Sequence, residues 1–207
     1  SRVSEGYPAI LRQRLGGEST GCLWAKGNVE LLGYRGISLV GSRDLNPENE
    51  KFAQEVGAEA AAQGYVLVSG NARGADRVAQ NACLENGGCV ISVVADELES
   101  KTPNDRMLYL SEDGFDLSFS PLRALRRNRV IHALGDKVLV AQATLQSGGT
   151  WDGTARNLRF GWSPVYCFDD GSDAARELEQ MGAILITADG LQDLHILRTI
   201  AQNLFDQ

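Results

Sequence analysis

Three short segments carry the residue types that hold phosphate: Gly41-Ser42-Arg43, Ser69-Gly70-Asn71-Ala72-Arg73-Gly74-Ala75-Asp76 and Ser147-Gly148-Gly149-Thr150. Glycine lets a ligand approach the backbone closely. Hydroxyl and amide N–H groups bond phosphate oxygens, and the planar fork of arginine grips two oxygens at once. In the first segment Ser42 is the hydroxyl donor and Arg43 the clamp. In the second, Arg73 stands between Gly70 and Gly74, and Asp76 falls in the first turn of the helix that follows. An acid there favours the helix dipole, bonds a sugar hydroxyl or orients Arg73, and the residues alone leave these roles open. The third segment offers backbone N–H groups with the hydroxyls of Ser147 and Thr150, and Trp151 beside it is either a stacking surface for a base or a packing residue. A fourth element, Arg126-Arg127-Asn128-Arg129, reads as helical; Arg126 and Arg129 share a face and Arg127 points elsewhere. Asn128 meets a base edge or bonds backbone.

Each glycine-rich segment follows an apolar run that reads as a strand (ISLV, YVLV, KVLVAQA) and leads into a helix-like stretch. Parallel strands would place all three junctions on one sheet edge, the edge at which open α/β sheets take ligands. There the helix N-termini present unpaired N–H groups to an anion. Residues 1–35 read as an N-terminal extension packing on the core, with CLWAKGNVELL as a short strand and turn; residues 36–207 read as one domain. Pro47 fits a first helical turn, and Phe52, Val56 and Ala60 recur four apart on one helical face. CVISVVA, PVYCF and AILIT read as further strands, Leu122–Leu134 and ELEQMG as helices. A short helix is expected near Asp105–Leu110, and LQDLHILRTIAQNLF reads as a closing amphipathic helix with Leu191, Leu194, Leu197 and Ile200 as its stripe. The apolar runs are continuous rather than alternating, as in strands covered on both faces. The expected fold is a Rossmann-like three-layer αβα domain with a mainly parallel sheet.

Composition narrows the function classes. The net charge of −7 argues against a protein that coats nucleic acid by overall attraction. Its sixteen arginines against four lysines favour bidentate contacts with phosphate over diffuse charge. Cys22, Cys83, Cys89 and Cys167 form no CxxC pair, and His132 and His195 stand too far apart to propose a metal site. A reducing cytoplasm is the simplest setting. No apolar stretch reaches the length of a membrane span. The dinucleotide fingerprint and the Walker A pattern are both absent, GSRDLN standing where the former would begin, so no cofactor is expected.

Read in order, the Tyr7-Pro8 pair, CLWAKGN, ISLVGSR, SGNARGAD, GG-CVISV, RRNRVIHAL and the SGGT loop resemble the DprA/Smf DNA-processing family over roughly residues 7–168. The segment after ISVVA departs from the family pattern, with DELESKTP in place of its usual glycine-leucine-aspartate and tyrosine-proline features. The SGGTWDGT loop resembles a variant branch related to the nucleotide-binding SLOG proteins. The resemblance implies a homodimer that binds single-stranded DNA and serves a RecA-type recombinase. It also implies that Ser69–Gly74 and Arg127-Asn128-Arg129 line the DNA pocket; with the residue readings above, phosphate binding is expected at Gly41, Ser42, Arg43, Ser69, Gly70, Ala72, Arg73, Gly74, Asp76, Arg127, Asn128, Arg129, Ser147, Gly148, Gly149 and Thr150.

The alternative is a protein similar to the LOG-type phosphoribohydrolases, which bind a small nucleotide and carry PGGxGTxxE with a catalytic glutamate. Alignment on Thr150 puts Gly153 at the glutamate position; Asp152 lies one residue off, and Asp76 is a candidate only by proximity. Proton transfer needs a group within hydrogen-bond reach of the substrate. Binding is therefore expected in preference to catalysis, with no catalytic residue assigned. A nucleotide sensor that signals through the closing helix is a third reading.

Overall fold

The computed structural model describes residues 6–197. Its strands are β1 (Trp24–Gly27), β2 (Gly36–Val40), β3 (Val66–Ser69), β4 (Cys89–Val93), β5 (Met107–Ser111), β6 (Val138–Val140), β7 (Val165–Phe168) and β8 (Ile184–Ile186). Its helices are α1 (Ala9–Leu15), α2 (Pro47–Ala62), α3 (Ala75–Glu85), α4 (Pro121–Leu134), α5 (Gly148–Phe160) and α6 (Asp173–Gln180). The strands form one sheet in the order β1-β5-β4-β3-β2-β6-β7-β8. All neighbours are parallel except β1, which runs antiparallel to β5 with Trp24 opposite Ser111. This is the expected Rossmann-like architecture.

Alternate residues of the central strands feed two cores, one on each face. Ile37, Leu39, Leu67 and Leu139 point to α2, α3 and the segment after β8, where they meet Phe52, Val56 and Ala79. Val40, Val66, Val68, Val138 and Val140 point to the other layer with Leu11 and Leu15 of α1, Val130 and Ile131 of α4, and Trp151 of α5. Gly57 sets the spacing of α2 and α3, since a Cβ there would stand 2.1 Å from the Ala79 carbonyl oxygen. The chain before residue 36 joins both layer and sheet. Leu11 and Leu15 are buried in the α4 layer, Arg14 donates to the Ala133 and Gly135 carbonyls at the end of α4, and β1 extends the sheet past β5.

Two local expectations are corrected. Residues 107–111 form β5 rather than a helix, because MLYLS is held between β4 and β1 by ladders on both sides. Such non-local pairing overrides the helical preference of Met and Leu. Residues 188–193 form a 3-10 turn rather than the start of a helix, and Leu191, Leu194 and Leu197 are buried against α2 and β8, as such a stripe more often is than an interface. Ile200 and the remainder of the expected closing helix lie outside the described residues. Among the described residues no helix is long and apolar enough to cross a membrane, and no cluster of His, Cys, Asp or Glu is placed to hold a metal.

His132 shows how tightly the α4–α5 contact is closed. Its ring is fully buried, Nδ1 lies 3.2 Å from Asn157 Nδ2, and a Cβ on Gly153 would approach Nε2 to 3.1 Å. Burial pushes its pKa down to about 3, against about 6.5 for a free histidine. The unfolded chain therefore takes up a proton that the native state refuses, so stability contributed above pH ~6.5 is lost as the pH falls toward 3. In urea titrations at stepped pH, His132→Leu is expected to flatten the loss of stability between pH 6.5 and 5 relative to the parent. Parallel curves would contradict this assignment.

Candidate functional site

The three glycine-rich junctions leave β3, β2 and β6, which are consecutive in the sheet. Chain order runs outward from β2 through β3, β4 and β5, then returns to the other side of β2 at β6. The reversal between β2 and β6 is a topological switch point, where the diverging connections leave a crevice at the carboxyl ends of the strands. Two adjoining clefts open there, of about 480 Å³ and about 270 Å³. The larger is enclosed by Gly41, Ser42, Arg43 and Asp44 after β2, by Ala72 and Asp76, by α4 from Pro121 to Ile131, and by Thr144 with Ser147, Gly148, Gly149 and Thr150 before α5. The smaller lies among Arg43, Gly70, Asn71, Ala72, Arg73, Asp96 and Phe119. Arg43, Ala72 and Arg127 line both.

Arg127 is the distinctive group. Only 7% of it is exposed, its Nε is buried with no hydrogen-bond partner, and it makes no ion pair within 4 Å among the described residues. The guanidinium lies over Gly70, where a Cβ would stand 1.6 Å from Nη1. Burial lowers its pKa from the ordinary arginine value, opposed through space by Asp76. Asp76 is itself buried, and desolvation raises its carboxyl above the ordinary range. Arg127, the Ala72 and Gly70 N–H groups and the Ser69 hydroxyl pull it back down. Its Oδ2 accepts from Ala72 N–H at 3.0 Å, so Asp76 pins the SGNARG loop. Arg73 pairs instead with Asp44, Nη2 to Oδ1 at 2.7 Å, with both side chains largely in water.

The other expected residues divide between lining and support. Ser42 lines the larger cleft while its hydroxyl leans on the Gln142 carbonyl at 3.3 Å. Asn128 donates to the Gly149 carbonyl at 2.9 Å and so fixes the start of α5. Ser69 is buried below the loop, its hydroxyl accepting from Gly70 N–H at 2.7 Å. Gly74, at φ 84°, packs against the Ser42 and Arg43 carbonyls. Arg129 is placed away from both clefts: it donates to Glu112 at 2.6 Å, to the Glu18 carbonyl at 3.0 Å and to the Arg126 carbonyl at 2.7 Å. The helical period turns it toward the acid at the end of β5, whose carboxyl is raised by burial against the pull of Arg129. Trp151 is 8% exposed and belongs to the core.

Sequence reasoning missed Phe119 and Asp44. Phe119 is 53% exposed at the wall of the smaller cleft, beside Arg43, Arg73 and Arg127. Its one sequence signal is an aromatic residue just before the Ser120-Pro121 helix start. Asp44 directly follows Arg43 in sequence, yet it reaches Arg73 on the neighbouring loop.

A sequence profile of the family described as DNA recombination-mediator protein A matches residues 1–194. The chain is 34% identical over 179 residues to DNA processing protein DprA of Streptococcus pneumoniae, covering 80% of this chain and 63% of that protein. It is 32% identical over 200 residues to protein Smf of Escherichia coli, covering 89% of this chain and 52% of that one. It thus spans between half and two thirds of the length of these relatives. The structure is similar to that of DNA processing protein A from Helicobacter pylori, described for its single-stranded DNA binding mode. There the TM-score is 0.73 at 25% identity, over 90% of this chain and 88% of that one.

Two glycines at the clefts separate backbone strain from steric closure. Gly74 and Gly148 both have φ near +80°, but a Cβ on Gly74 meets two backbone oxygens at 2.4 Å and one on Gly148 meets nothing within 4 Å. Gly148→Ala is expected to cost about 1–2 kcal/mol for the conformation alone. Gly74→Ala should exceed it by a further ~1–3 kcal/mol for the forced backbone shift. Denaturant midpoints of the two variants check the order.

Proposed function

The chain belongs to the DNA recombination-mediator protein A family, and we propose that its paired clefts bind the backbone of single-stranded DNA without acting on it chemically. The observation that carries this reading is the Arg127 guanidinium, nine-tenths buried with its Nε unpartnered between the two clefts. A buried charge without hydrogen bonds is costly unless a counter-charge completes it, and a phosphate supplies both charge and acceptors. Arg43 and Arg73 stand at the rim, the Ser42, Ser147 and Thr150 hydroxyls line the larger cleft, and Phe119 offers a ring for a base in the smaller.

The hydrolytic alternative finds less support. Gly153, at the position of the glutamate in the related hydrolases, is closed against His132 and Asn128, and Asp152 is exposed on α5 outside both clefts. Asp76 is occupied by its loop. The same reading includes a homodimer and a RecA-type recombinase as onward partner, both implied by the family resemblance, and a cytoplasmic setting, which rests on the unpaired cysteines. Light scattering and capture of the recombinase on protein-coated oligonucleotide test the first two.

Arg73→Ala combined with Arg127→Ala is expected to abolish binding of labelled oligo-dT in an anisotropy titration, with circular dichroism confirming the fold. The milder pair Arg43→Ala and Arg73→Ala, both at the solvent rim, should weaken it at least tenfold. With three arginines on phosphates, the plot of log affinity against log salt should fall with a slope of about −2, each phosphate on a single strand contributing about −0.7. Undiminished affinity in the folded double variants overturns the reading.

A further inference from the structure

The larger cleft differs from a groove that tracks a continuous backbone. Among the described helices of eight or more residues, the starts other than those of α4 and α5 are compensated locally. Ser172 caps α6 by accepting from Ala175 N–H, with Asp173 in its first turn, and the first turns of α2 and α3 carry Glu48 with Glu50 and Asp76. Of the described helices of eight or more residues, α4 and α5 have neither a side-chain cap nor an acid in the first turn, although Ser120 and Ser147 occupy their N-cap positions. Both starts, at Pro121 and at Ser147–Thr150, face the larger cleft. Two uncompensated positive dipole ends therefore converge on the space that the buried, unpartnered Arg127 lines.

The supply of donors exceeds what an internal phosphodiester uses. A diester presents one charge and two terminal oxygens, whereas a phosphomonoester carries about −1.5 to −2 charges near neutral pH and three strongly accepting oxygens. The N–H groups at the start of α5, the Ser147 and Thr150 hydroxyls and the Arg127 guanidinium together match the monoester. At about 480 Å³ the cleft is in the size class of single small-ligand pockets, about 300–1,000 Å³.

We propose that the larger cleft takes a nucleoside phosphomonoester, supplied by the phosphorylated end of a single strand, while the smaller cleft holds an internal phosphodiester and its base against Phe119. The protein then recognises strand ends as well as strand backbone. This assignment rests on the single-strand reading of the clefts, and it shares its chemistry with a free mononucleotide.

The test compares oligo-dT of one length bearing a 5′-phosphate, a 3′-phosphate or hydroxyls at both ends, with dTMP and thymidine as competitors. One of the two phosphorylated strands should bind at least tenfold more tightly than the hydroxyl-ended strand, and thymidine should not compete. Ser147→Asp keeps a favoured N-cap residue on α5, sets an acid at its positive dipole end and places a carboxylate in the anion position. The urea midpoint of this variant should not fall, yet the preference for the phosphorylated strand should collapse toward one. Equal affinities of phosphorylated and hydroxyl-ended strands for the parent protein overturn the end assignment and leave single-strand binding standing. No binding of any strand overturns both. Competition by dTMP at the concentration at which the phosphorylated strand competes reassigns the cleft to free mononucleotides and overturns the strand-end source.

Discussion

A full positive charge held almost out of water at the carboxyl edge of the sheet constrains everything around it. Arg127 reaches that edge from the middle of α4, and Gly70 has no side chain because the guanidinium occupies the space a Cβ would need. Asp76 sits at the start of the neighbouring helix, compensates the charge through space and fastens the loop through Ala72. Gly74 turns so that this loop rests on the carbonyls after β2, and Asn128, one residue beyond the arginine, ties α4 to the start of α5. Three junctions far apart in sequence are thus assembled around one side chain. A chain that folded only for stability would have little reason to keep such a charge without hydrogen bonds.

The relation between overall and local charge follows from the same arrangement. The protein is acidic as a whole, and acids stand beside the cations of the clefts: Asp44 on Arg73 and Asp76 near Arg127. An extended basic stripe would attract any polyanion over a Debye length. A small number of arginines in shaped clefts instead selects by fit, and their influence is confined to the ligand atoms they touch.

Much of this was legible in the residues because it depends on local chemistry. Glycines after apolar runs announced strand-to-helix junctions, and unbroken ISLV and YVLV runs announced strands covered on both faces. Once the strands were parallel, their shared edge followed. What escaped depended on distant partners. MLYLS became a strand because β1, from a segment eighty residues earlier, closes one side of it. Arg129 and Arg127 are two residues apart in one basic run, yet a helical turn of about 100° per residue sends one to Glu112 and the other to the clefts. Trp151 follows a phosphate-type loop and still packs inward, because the first turn of α5 rolls it onto the core. Phe119 could be placed at the clefts only when the path of the segment after β5 was known.

The Arg73–Asp44 pair has a consequence for the free protein. With Asp44 as its resting partner, the Arg73 side chain is already extended across the rim, so a phosphate arriving there exchanges one carboxylate for another anion. The side-chain entropy of ordering an arginine, of the order of 0.5–1.5 kcal/mol at an interface, is met before the ligand comes. The contact that remains to be gained is the difference between two ion pairs, less than an unpaired arginine would gain from the same phosphate. Such a rim releases its ligand as readily as it accepts it. In the proposed single-strand reading, exchange at the mouth of the clefts is governed by an internal competitor carried on the adjacent loop, and retention is left to the buried charge of Arg127 beneath.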